Sequence, residues 1–209
     1  VLPFFAHLPP SGADVALERV RQLLATSEEC QGVVTGGATD VNPAERFEVV
    51  DWFNPLDNRG GPICQVGLQP AGPDRDGPWG YSETTLAVLV RLRFRWSDNW
   101  PAVYSGVPVP LQFETGAGAP VNAVPVARGI GAWDAAVIRA LRADPKLLVT
   151  VDGVQLALAR SAEYGPRAFG VTADPSPDGS EVWYNADTVV TYTLMSDFRT
   201  GALWHLREA

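Results

Sequence analysis

Lysine is almost absent from this chain, histidine and cysteine are scarce, and no long apolar run occurs. Sixteen cations face 24 carboxylates across 209 residues, a formal charge of −8, and every cation except Lys146 is an arginine. So acidic a chain is ill suited to coating DNA or RNA, which takes clustered cations, although a local basic patch remains open. The arginine excess either serves bidentate pairing at interfaces or reflects a GC-rich genome. The two histidines, His7 and His205, sit near the termini, with no His or Cys at metal-ligand spacing and no Cys-x-x-Cys. Without an internal histidine, a Ser-His-Asp or Cys-His hydrolase is disfavoured. The expectation is no metal and no cofactor. Cys30 and Cys64, the only cysteines, fit two buried thiols as well as one disulfide. The longest apolar run, Leu86 to Val90, ends at Arg91, far short of the roughly 20 residues that span a bilayer. Val-Leu-Pro-Phe-Phe lacks the positive head and apolar core of a signal peptide, so cytosolic assembly without a membrane is expected.

What is present suits a globular α+β domain. Hydrophobic residues make up 46% of the chain, and at this length roughly 70% of the unfolded surface can be buried, so no staple is needed. Residues 1–10 are apolar and proline-rich and read as an extended arm. Ser11 opens a helix over 14–26, with Asp14 as a capping-box variant. Leu17, Val20, Leu23 and Leu24 form its apolar stripe, while Glu18, Arg19, Arg21 and Gln22 take the other side. Gly32 or Gly36-Gly37 closes this stretch. Strands are expected at 47–53, with Phe47, Val49, Asp51 and Phe53 on one face, and at 63–68, within a loop-rich insertion spanning 54–82.

The clearest strand is 84–96. Leu86, Val88, Val90, Leu92, Phe94 and Trp96 alternate with Ala87, Leu89, Arg91, Arg93 and Arg95. A period of two places the first set against a core and three guanidinium groups in a row outside. Its length implies a ribbon running beyond its sheet. A second insertion, 97–130, precedes a helix over 131–143 that buries Trp133, Val137, Ile138 and Leu141 and is stopped by Pro145. Asp152-Gly153 between 147–151 and 154–158 signals a hairpin. Further strands are expected at 168–172, 181–184 and 188–194, before a tail at 201–209. The whole reads as one domain over 11–200, two helices packed on a mainly antiparallel sheet.

Chemistry-bearing motifs are few. Gly129-Ile130-Gly131 superficially suggests a phosphate cradle, but Asp134 stands where a dinucleotide fingerprint needs glycine, and no clear strand leads in. The expectation is a helix N-terminus with Asp134 favouring the dipole. Asp74, Asp76, Asp98, Asp152, Asp174 and Asp178 mostly adjoin Gly or Pro and read as turn residues; two of them across a cleft would instead make a carboxylate-based hydrolase. Trp52, Trp79, Trp100 and Trp183, if exposed together, would make a carbohydrate- or protein-binding module. The Arg91, Arg93 and Arg95 row is the sharpest feature, because adjacent like charges need an anionic answer. Three answers fit: a solvated face with Asp and Glu across the strand, a subunit contact, or a surface facing nucleic acid.

Taken in order, Leu17 to Leu24, Leu86 to Trp96, Ala132 to Leu141 and Thr188 to Leu194 give a helix, a long strand, a second helix and a closing strand. This order resembles the tail-terminator and neck (head-tail joining) proteins of long-tailed bacteriophages, an α+β family. The resemblance implies a structural virion protein, assembled in the host cytoplasm as a hexameric ring that caps or joins the tail tube below the head. It implies no active site. The implied partners are copies of the chain and other neck and tail-tube proteins, with DNA passing close by and no membrane. A head-to-tail ring needs two different patches on each protomer; Phe4 and Phe5 on the arm, and Arg91, Arg93 and Arg95 on the ribbon, are the expected contacts. An apolar arm makes sense if neighbours bury it, and an acidic lumen would let DNA slide.

Overall fold

A stretch that alternates apolar and other residues for more than a dozen positions is satisfied only as a strand lying on a core, and the chain holds two of them, paired with each other. A computed structural model describes residues 12–35, 42–51, 62–69, 75–76, 81–95, 129–151, 153–165, 171–175 and 182–197. In it β4 (Tyr81–Arg95) and β9 (Val182–Asp197) run antiparallel through fifteen residue pairs, from Tyr81 opposite Asp197 to Arg95 opposite Trp183. β2 (Ile63–Gln69) lies antiparallel along the other edge of β4, and β1 (Phe47–Val50) is parallel to β2. β7 (Ala159–Tyr164) is antiparallel to β9. The short strands β3 (Arg75–Asp76) and β8 (Val171–Pro175) extend the same edges, β3 against β4 and β8 against β9. The result is a mixed seven-stranded sheet in an α+β fold, with order β1-β2-β4-β9-β7 along its main path.

Three helices, α1 (Gly12–Thr26), α2 (Glu28–Thr35) and α3 (Gly129–Arg142), cover one face. On that side Leu86, Val88, Val90, Leu92 and Phe94 of β4 and Ala186, Val190, Tyr192 and Leu194 of β9 share a core with Leu17, Leu24, Trp133 and Leu141. Each such side chain removed from water contributes roughly 1.5–3 kcal/mol, so this face dominates stability. Arg19 of α1 ties the layer to the end of α3: its Nε and Nη2 donate to Asp144 Oδ2 at 3.1 and 2.7 Å. The same carboxylate accepts the backbone N–H of Leu148. Leu147 holds a left-handed φ of 50° in the turn between them. That conformation disfavours leucine, and the fully buried side chain of Leu147 is what retains it.

Four elements depart from the sequence reading. No helix was expected at 28–35, where Gly32 reads as a stop; Ser27 restarts the helix instead, its Oγ accepting the N–H of Cys30, with Glu28 and Glu29 favouring the new N-terminus. The hairpin β5 (Leu148–Val151) with β6 (Val154–Ala157) forms at the expected turn, with Gly153 at φ 81°, but it is a separate two-stranded sheet. The chain then leaves the hairpin at Leu158 and joins the main sheet as β7, a strand hidden behind the hairpin signal. Finally, the two strands expected at 181–184 and 188–194 are one. Asn185 and Asp187, which read as a break, are in-ladder partners of Arg93 and Arg91. The arm 1–10, the loop segments 52–61 and 70–74, residues 96–128 and the tail 201–209 lie outside the described residues.

Cys30 and Cys64 are free thiols, both fully buried in this core. Burial pushes Cys30 up to about 11 and Cys64 well above the ordinary thiol range; burial likewise raises the Tyr192 phenol. Each group keeps its proton in the folded protein at a pH where the unfolded chain loses it. Stability is therefore full below the ordinary thiol pKa near 9.0 and falls as pH rises toward 11. Urea unfolding at pH 8 and at about pH 10.5 should give a lower midpoint at the higher pH, with a smaller drop in Cys30→Ala. Equal midpoints in the parent protein would contradict this burial.

Candidate interface

The expected contact residues of β4 occupy its second face, away from the helices. Direct opposition across the sheet makes rows. Gln65 of β2, Arg91 of β4 and Asp187 of β9 form one, and Ile63, Arg93 and Asn185 the next. Glu48 of β1 extends the first row, its Oε1 accepting a hydrogen bond from Gln65 Nε2 at 2.9 Å. Arg91 grips Asp187 in a bidentate pair, Nε and Nη2 each 2.8 Å from a carboxylate oxygen. The cross-strand carboxylate thus answers the charge of Arg91.

This face is not the open plane that the alternation implied. Arg93 is only 3% exposed, and Ile63, Gln65, Leu89 and Asn185 are each 2% exposed. The expectation of three outward guanidinium groups is corrected accordingly. Arg91 is half-buried and paired, Arg93 is buried, and the side chain of Arg95 lies outside the described residues. The physical reason is that the central strands are covered on both sides, so both side-chain sets of β4 are interior. Ala87 and Leu89, at the start of the supposedly polar set, were the signal. Gln65 Oε1 is buried with no hydrogen-bond partner among the described residues.

Phe4 and Phe5 lie outside the described residues, as do His7 and His205. Trp52, Trp79 and Trp100 lie outside them too, and only the backbone of Trp183 is placed, opposite Arg95. Among the loop aspartates, Asp76 and Asp174 are placed by backbone in β3 and β8, and the others fall outside. No group of three or more His, Cys, Asp or Glu is placed to hold a metal among the described residues. Asp134 does not serve the N-terminus of α3: it is the sixth residue of that helix, buried, and accepts a hydrogen bond from Thr188 Oγ1 of β9 at 3.3 Å.

Open surface is found instead in the helix layer. The end of α1, the start of α2 and the last turn of α3 bound a groove of about 420 Å³, whose lining includes Leu23, Glu29, Arg139 and Ala140. Glu29 and Arg139 bridge α2 to α3 along its rim, Nε to Oε2 at 2.7 Å, and both side chains are largely exposed. Such a pair contributes no more than about 1 kcal/mol. Val49 and Leu68, on the β1 side of the sheet, are the exposed large apolar residues among those described.

In comparisons with known proteins, no family model and no curated protein matches this chain.

The burial of Arg93 sets the outcome of charge reversal. Arg93→Glu replaces a buried guanidinium with a carboxylate at a position only 3% exposed, at a cost of several kcal/mol. The variant should unfold at markedly lower denaturant or fail to accumulate as folded protein. Unchanged unfolding of Arg93→Glu would restore the open-face reading.

Proposed function

We propose that this chain is a structural protein of a long-tailed bacteriophage that forms a hexameric ring at the neck or tail end of the virion, capping or joining the tail tube below the head. The observation that carries this reading is the architecture. A helix layer lies on a mixed sheet built around one fifteen-pair ladder, and helix, long strand, second helix and closing strand follow one another as in the neck and tail-terminator proteins that the sequence resembles.

The function is mechanical. A ring subunit bears load through its sheet, and a sheet buried on both faces resists shear better than one with a wet side, since sliding breaks close packing and ladder bonds together. The partners are neighbouring copies and other neck and tail-tube proteins. DNA passes through without being gripped: Arg91 is held by Asp187 and Arg93 is interior, so these two cations are withheld from phosphates, and the formal charge is −8. Weak attraction suits a genome that must slide. The chain carries no catalytic role in this reading, and its work is done in the virion after assembly in the host cytoplasm.

Light scattering with negative-stain imaging tests the reading. The expected particle is a ring with six times the 22.5 kDa chain mass, able to bind purified tail tubes or connector rings. A monodisperse monomer with affinity for neither contradicts it.

A further inference from the structure

We propose that the end of α3 and the β7–β9 pair enclose a binding site for one internal water, held by the hydroxyls of Tyr164 and Tyr192 and the carboxylate of Asp144. The inference stands on geometry and does not depend on the ring reading. Tyr192 is fully buried, and its hydroxyl has no hydrogen-bond partner among the described residues. The same holds for the hydroxyl of Tyr164, which is also shut off from solvent. Bare buried hydroxyls are rare in folded proteins, because they give up hydration with nothing in return.

The sheet brings the two phenols together. Ala162 of β7 stands opposite Tyr192 of β9, and Tyr164 stands opposite Val190. Residues two apart on a strand share a face, so Tyr164 and Tyr192 are diagonal neighbours on the helix side, where both pack with the core. Diagonal positions lie about 7–8 Å apart, within reach of aromatic side chains. The end of α3 closes over them. The Arg142 guanidinium sits 5.1 Å from the centre of the Tyr164 ring, and Asp144, two residues on, is itself buried. Burial first, and then the nearby Tyr164 and Asp144, push the Tyr192 phenol up. The three groups therefore feel one another, yet no direct hydrogen bond joins either hydroxyl to its neighbours. Polar groups that near and not in contact are separated by the span one water bridges.

The chemistry selects water over an ion. Both nearby arginines are engaged, Arg19 on Asp144 Oδ2 and Arg142 over the Tyr164 ring. An anion would meet the Asp144 carboxylate, and a cation would find a single carboxylate that Arg19 already answers. Asp144 Oδ1 accepts the N–H of Leu148 at 3.0 Å and keeps a second lone pair. Water donates and accepts, so it can serve this oxygen and both phenols. Three partners is the usual number for a buried water. Its role is to tie β7, at the end of the sheet's main path, to the turn after α3 that Arg19 also holds.

Urea unfolding of Tyr164→Phe, Tyr192→Phe and the double variant near neutral pH tests the site. Each single change keeps the ring and removes one hydroxyl. With a shared water, each lowers the midpoint by roughly 0.3–1 M. The double variant then loses clearly less than the sum, because the first change already releases the water. A midpoint unmoved or raised in either single variant means a bare hydroxyl and overturns the proposal. A double loss that equals or exceeds the sum means separate partners and overturns the shared site. A high-resolution crystal structure of the full chain gives a second readout, independent of whether the variants fold. It should show one ordered water within about 3.2 Å of both hydroxyls and of an Asp144 oxygen. A direct bond between the hydroxyls, or a dry gap, overturns the proposal.

Discussion

The β4–β9 ladder is the constraint on which the other elements depend. Fifteen consecutive pairs align the apolar sets of both strands on the helix side. A shift of one residue would turn Val88, Val90 and Leu92 away from α1 and α3 and put Arg91 and Arg93 in their place. Register is therefore fixed from two directions at once. The helix side holds it by hydrophobic burial, and the second face holds it by pairing Arg91 with Asp187, a contact that exists in one register only. Every other strand of the main sheet attaches to this pair or to a strand already on it, and the helices pack over its middle.

Burial on both faces changes what the arginines mean. A charged row on a wet sheet is surface to be used by a partner; on a covered sheet it is internal structure. Pairing Arg91 with Asp187 and burying Arg93 beside Asn185 buys specificity rather than raw stability, because desolvating a guanidinium costs much of what its partner returns.

The fold was legible in the sequence where periodicity was strong. α1, α3, β2 and β4 and the Asp152-Gly153 hairpin follow from stripes of 3.6 or two and from a turn dipeptide, all of them local signals. α2 was obscured by Gly32, which a helix tolerates at roughly 0.5–1 kcal/mol when Cys30 and Val34 are buried on the other side. β7 was obscured because Leu158 ends one ladder and Ala159 begins another without a turn residue between them. The unity of β9 depended on Asp187 finding Arg91, 96 residues away, and no local pattern contains that distance. The same limit applied to the site. The three arginines were conspicuous, but whether their face was wet depended on cover supplied from elsewhere, and only the apolar pair Ala87 and Leu89 hinted at it. The groove has no sequence signature, being lined from three helices by residues far apart in the chain, among them Leu23, Glu29 and Ala140.

Residue-resolved amide hydrogen exchange tests the organising role of the ladder most directly. Amides of Val88–Arg93 and Asn185–Val190 should exchange slowest in the protein, opening only by global unfolding and with the full denaturant dependence of that transition. The hairpin β5–β6 and the edge strands β1 and β7 should open earlier. If Asn185–Asp187 exchange as fast as those edges, β9 behaves as two strands, the Arg91–Asp187 register is not held, and the account built on one continuous ladder is wrong.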